Sequence, residues 1–206
     1  MLAAFAMSRL LIVILLFGAV AFAQAPQTIA TDYEWQLTQP GRTLFRDKLP
    51  VGQIGLVAGK KEKATGEALQ VLTDIAFMPG DSTRYFAVTF RVMEGDRLYG
   101  EVILDADELP ELIKSARYLA ATALDIAATD RAETDITFHS RAGLSLEFRQ
   151  VGTAQQLQLA LPDPLSDGEL IRPLTPDQYS LFADLLDLTI FELNRQGANI
   201  RVKSNK

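Results

Sequence analysis

YFAVTFRVMEGDRLYGEVILDADELPELI, running from Tyr85 to Ile113, changes its hydrophobic period halfway along. In the first part Phe86, Val88, Phe90 and Val92 share one face and Thr89 and Arg91 the other, the period-2 pattern of a strand buried on one side. Glu94-Gly95-Asp96 turns the chain, and Arg97 to Leu104 returns as the next strand. Beyond it the apolar residues recur every three or four positions. Leu109, Leu112, Ile113, Ala116, Ala120, Ala123, Leu124 and Ala127 predict one amphipathic helix ending near Ala128. Asp107 is its expected N-cap, Glu108 lies in the first turn, and Pro110 is early enough to be tolerated. The small alanines predict close packing onto a sheet.

Upstream, Val51 to Ala58 and Ala68 to Met78 are two further strand-like stretches, with Met78-Pro79-Gly80-Asp81-Ser82 as a hairpin loop. Downstream the order repeats. Ile136 and Phe138 alternate with Thr137 and His139, Arg141-Ala142-Gly143 turns, and Leu144, Leu146 and Phe148 alternate with Ser145, Glu147 and Arg149. Leu157, Leu159 and Leu161 oppose Gln158 and Ala160, Pro162 to Gly168 is a loop, and a short strand runs to Arg172. Thr175-Pro176-Asp177-Gln178 is a helix start with a capping residue, Pro at the first helical position and a capping-box Gln. Phe182, Leu185, Leu186, Thr189, Ile190 and Leu193 line one face, and Gly197 terminates the helix. Four strands and then a capped helix, occurring twice, define an α+β chain of two antiparallel-sheet-plus-helix (ββββα) units packed as one compact domain. A doubly wound nucleotide fold is excluded, because it needs strands and helices alternating one by one. The expected divisions are a signal peptide over 1–23, a lead-in arm over 24–42, the first unit over 43–130, the second over 131–197 and a basic tail over 198–206.

The leader carries Arg9, an unbroken apolar run from Leu10 to Phe17, and the small-x-small triplet Ala21-Phe22-Ala23. This is the layout of an export signal cleaved after Ala23, placing the mature chain in the periplasm or outside the cell. Retention as an anchor is the alternative, although Leu10 to Ala23 falls short of the roughly 20 apolar residues that span a bilayer. Met7 offers a second start. Lipoprotein anchoring is excluded, as the 206 residues hold no cysteine, and so are disulfides, thiolate zinc sites and thiol nucleophiles. Net charge is −6, which disfavours nucleic acid as a partner, since phosphate-backbone affinity comes from Lys and Arg.

No catalytic set emerges. Gly55-Leu56-Val57-Ala58-Gly59-Lys60-Lys61 has phosphate-loop flavour, but its glycine spacing is one residue short and Lys61 stands where Ser or Thr is required. His139 is the only histidine, so paired-His metal sites are excluded within one chain. Gly143-Leu144-Ser145-Leu146-Glu147 is strand alternation rather than a nucleophile elbow. Asp105, Asp107, Glu108 and Glu111 cluster where acids complement a helix dipole. Asp163, Asp167 and Glu169 around Gly168 are weak calcium candidates; no other metal and no cofactor is expected. Candidate partner contacts are the basic run Lys60, Lys61 and Lys63, with Arg91, His139 and Arg149 on the polar faces of strands.

The repeated ββββα order from Val51 to Gly197 resembles the Whirly family of single-stranded-DNA-binding proteins. The resemblance is carried best by Leu104-Asp105-Ala106-Asp107-Glu108-Leu109-Pro110-Glu111-Leu112-Ile113 and by Pro173-Leu174-Thr175. The family's basic K-G-K-A-A-L patch corresponds to Lys63-Ala64-Thr65-Gly66-Glu67-Ala68-Leu69, with an acid inserted. It implies the fold, and single-strand binding only if stacking aromatics and a basic groove accompany it. The leading expectation is a non-enzymatic exported protein binding an envelope or extracellular protein. A carrier of a small apolar ligand between sheet and helix and a nucleic-acid binder are the alternatives. Pairing of two chains through edge strands stays open.

Overall fold

Alternating apolar residues build the strands as read, and the strands run longer than their apolar centres. The computed structural model describes residues 31–58, 63–166 and 168–201. The signal peptide expected over 1–23 and most of the tail lie outside them. A first helix, α1 (Asp32–Thr38), precedes strands β1 (Phe45–Ala58), β2 (Lys63–Phe77), β3 (Arg84–Glu94) and β4 (Arg97–Asp105). A single 3-10 turn over Ala106–Glu108 leads into α2 (Leu109–Asp125), followed by β5 (Arg131–His139), β6 (Ser145–Gly152), β7 (Ala154–Pro162), β8 (Glu169–Pro173) and α3 (Pro176–Arg195). The strands form two four-stranded antiparallel sheets in sequential order, β1-β2-β3-β4 and β5-β6-β7-β8. The molecule is α+β, two sheet-plus-helix units joined in one compact body. No helix among the described residues is long and apolar enough to cross a membrane.

One core serves both units. Leu69, Val71, Val88 and Phe90 from the first sheet, Leu146, Phe148, Leu157 and Leu159 from the second, and Leu112, Phe182 and Leu186 from α2 and α3 belong to a single buried cluster. The rings of Phe90 and Phe182 lie 5.7 Å apart, tilted. Tyr179 on α3 is fully buried, yet its hydroxyl donates to the Gln158 carbonyl at 2.6 Å and accepts from the Glu147 N–H at 3.2 Å, so the helix is pinned to the β6–β7 ladder. The sheets also meet directly. A Cβ added at Gly100 on β4 would come within 2.8 Å of Leu170 on β8, and Arg172 Nη2 reaches Glu67 Oε1 at 3.0 Å.

Four details depart from the sequence reading. The lead-in arm contains α1, which starts because the Thr31 side chain accepts the Glu34 N–H. Asp107 does not cap α2. The chain enters that helix through the 3-10 turn, and the Asp107 carboxylate pairs with Arg141 in the β5–β6 turn. Leu124 and Ala127 lie outside the buried stripe of α2, which Leu119 completes, and the helix stops at Asp125. Thr89, expected on a polar face, is fully buried, because α1 covers that side of the first sheet. The entry to α3 is as read. Thr175 Oγ1 accepts the Gln178 N–H, Gln178 Oε1 accepts the Thr175 N–H at 2.8 Å, and Gly197 adopts φ 101° past the last turn.

Candidate interaction surfaces

The residues singled out in the sequence do not converge. Lys60 and Lys61 lie outside the described residues, and Lys63 opens β2 with its backbone opposite Ala58. Arg91 stands on the outer face of the first sheet, paired with Glu101, which also accepts from Lys48 Nζ at 3.3 Å. His139 and Arg149 share the outer face of the second sheet, where a pocket of about 470 Å³ also takes in Glu147 and Gln158. Arg149 is held by Glu133 at 2.5 Å and by Asp135 at 3.6 Å. Ser145 lies opposite His139 across the β5–β6 ladder, but its hydroxyl donates to Glu147 Oε1 at 3.1 Å. Of the calcium candidates, Asp163 accepts the Leu165 N–H at 2.9 Å and the Ser166 hydroxyl at 2.7 Å, bonds that hold its carboxyl below the usual range. Asp167 lies outside the described residues, and among those described no three acids or histidines gather as a metal site.

Sequence reasoning missed a buried ionic network on the outer face of the first sheet. Asp74 on β2 has no exposed side-chain surface, and accepts from Arg46 Nε at 2.8 Å, from the Thr89 hydroxyl at 2.8 Å and from the Tyr33 hydroxyl. Burial alone would push its carboxyl up. The hydrogen bonds from Arg46, Tyr33 and Thr89 outweigh that and hold it below the ordinary Asp value. The same burial, with Asp74 beside it, drives the Tyr33 phenol far up. Asp105 supplies the second anchor of α1, accepting the N–H groups of Asp32 and Tyr33 at 2.9 Å each. The only signal available beforehand was a lone acid inside the apolar stretch Ala68 to Met78.

Two places open to solvent have the chemistry of binding surfaces. On α3, Leu181, Leu188 and Phe191 are 56%, 46% and 62% exposed, large apolar side chains presented outward by a helix whose other face fills the core. Leu185 lies between them in sequence, and its Cδ1 would be 2.7 Å from a Cβ at Gly52, so the absent side chain lets α3 sit tightly on edge strand β1. Leu181, Leu185 and Leu188 with Ile54 and Gly55 wall a groove of about 540 Å³. Asp184 borders it, and Arg117 from α2 pairs with Asp184 and with Asp187 one turn on. The other place is a larger cleft of about 730 Å³ between α1, the start of β3 and the segment after α3.

The edge of β1 is guarded against plain strand addition. Pro50 has no N–H to donate, and the register slips between Pro50 and Gly52 and again between Gly55 and Val57. Contact through this side therefore falls to side chains, chiefly those of α3. No family model, no curated protein and no solved structure matches the chain.

Proposed function

We propose that this is an exported, non-enzymatic interaction protein that engages an envelope or extracellular protein through the exposed stripe of α3 and its groove against β1. The observation that carries this reading is the spacing of Leu181, Leu185, Leu188 and Phe191, at i, i+4, i+7 and i+10 on one helix, with three of the four exposed. An apolar row of this period, left uncovered, is the half-site of a helix-in-groove contact. The four carboxylates of Asp177, Asp184, Asp187 and Glu192 are met by two cations, Arg117 and Arg195. That surplus selects a basic amphipathic helix as the partner segment. Export rests on the leader with Arg9 and Ala21-Phe22-Ala23.

The apolar-ligand alternative is not favoured, because Phe90, Phe182 and Leu186 fill the layer between sheet and helix. Nor is the nucleic-acid alternative, since Phe90 and Phe148 are buried, the exposed strand aromatic Phe45 already stacks on Phe77, and the net charge is −6. The test places a photo-reactive benzoylphenylalanine at Leu188 in the full-length protein in its native host, with irradiation and mass analysis of the adduct. The expected product joins Leu188 to one exported protein, within a basic helical peptide, and is lost when Leu181 is replaced by Glu. An adduct to a second copy of this chain, or none, overturns the proposal.

A further inference from the structure

The cleft beside α1 is independent of the α3 surface, and we infer that it is a binding site for a neutral saccharide, a short oligosaccharide segment stacked on Trp35. One wall is the indole of Trp35, 47% exposed. The other includes Asn199 and Ile200 from the segment following α3, and Arg84, Tyr85 and Phe86 contribute from the start of β3.

Both walls are held in place before any ligand arrives. The Tyr33 side chain is buried beneath α1 with its hydroxyl on Asp74, and Asp105 takes the N–H groups of Asp32 and Tyr33. Opposite, the Asn194 side chain brackets Ile200, donating to its carbonyl at 2.9 Å and accepting its N–H at 2.5 Å. Asn199 itself sits at φ 57°, the one non-glycine residue in the left-handed region among the described residues. A pre-set pocket spends little binding energy on ordering its walls. Trp35 is also the only tryptophan of the chain, and its large ring stands half in water on a rigid support, where a core position would have gained its full burial.

The chemistry of the rim selects the ligand class. Gln36 and Asn199 contribute amides, the Gln36 oxygen already accepting from Arg42 Nη1 at 2.8 Å. Asp32 adds a carboxylate, and Arg84, which reaches the Gln196 carbonyl at 3.5 Å, and Arg201 add guanidinium groups. Asp105 and Asp107 also border the cleft but are engaged by Arg141. Donors and acceptors are thus interleaved without a surplus of either sign. A sugar hydroxyl is both donor and acceptor and matches such a rim, while the C–H face of a pyranose covers an indole. A phosphate or carboxylate ligand would meet Asp32 and the Asp107 side as well as the arginines. An acyl chain would strip water from five polar side chains and return no hydrogen bond. The volume of about 730 Å³ falls within the range of small-molecule sites.

The experiment uses Trp35 emission as the reporter. The full-length chain is titrated with cellobiose, maltose and N,N′-diacetylchitobiose, and in parallel with inorganic phosphate and decanoate. The expected result is a saturable change in emission with at least one disaccharide, weakened about tenfold or more in both Gln36→Ala and Asn199→Ala. Far-UV circular dichroism of both variants should match the parent. Calorimetry on Trp35→Phe should show weaker binding of the same sugar. No saturable response to any of the three sugars at tens of millimolar overturns the inference, as does saturation by phosphate or decanoate instead. A Leu181→Glu, Leu188→Glu variant should bind the sugar unchanged, so failure here and failure of the α3 reading are separable.

Discussion

Asp74 shows how one residue's behaviour depends on what surrounds it. In sequence it is an acid in an apolar strand, yet in the fold it is the node on which Tyr33, Arg46 and Thr89 converge. Lys48 Nζ lies 3.6 Å away as well. Asp74→Asn keeps the shape and removes the charge, leaving Arg46 without its counter-ion. The expected cost is about 3 kcal/mol at neutral pH, read by urea unfolding, less than for a fully buried pair because Arg46 is partly in water. The pH dependence has a definite sign. The folded carboxyl titrates below its unfolded value, so its stabilisation is complete above about pH 4 and disappears as pH falls through the lower folded value. The variant should therefore lack that part of the acid loss, and its stability difference from the parent should shrink as pH drops below about 4. An unchanged difference across that range would remove Asp74 from the acid response.

At the scale of elements, local chemistry was legible where it is self-contained. The α3 start could be read from Thr175-Pro176-Asp177-Gln178 because every bond of a capping box lies within four residues. Thr175→Ala should cost about 1 kcal/mol, seen as a lower urea midpoint with an unchanged slope. The Gln178 amide also reaches the Gly55 carbonyl at 2.6 Å, so loss of the cap should loosen the groove side of β1 too. Local chemistry misled where a tertiary partner competed for it. Asp107 has the residue type of an N-cap, but Arg141 from the second unit takes its carboxylate, and Asp105 caps the distant α1 instead. Helix α1 escaped notice because seven residues carry too little apolar period to register. Its stability comes from Tyr33 packing beside Ala76 and Ala87.

For the whole molecule, the shared core predicts joint unfolding of the two units. Phe182→Ala removes a ring that packs on Phe90, and should cost about 3–5 kcal/mol. Unfolding followed by far-UV circular dichroism and by Trp35 emission should coincide in both parent and variant, whereas two separated transitions would show that the units fold independently. The α+β class, the two fourfold strand runs each closed by a helix, and the order of the elements after α1 could be read from the sequence, though several strands start three to six residues earlier than their apolar centres. Period-2 and period-3.6 patterns, turn glycines and caps are written over a few residues and act through bonds of that range. The groove on α3, the cleft at Trp35 and the Asp74 network were decided only by tertiary structure. Each brings together residues far apart in the chain, such as Tyr33 with Asp74, Gly52 with Leu185, and Trp35 with Asn199. Nothing in residue spacing encodes which face a helix leaves uncovered once its other face has found the core.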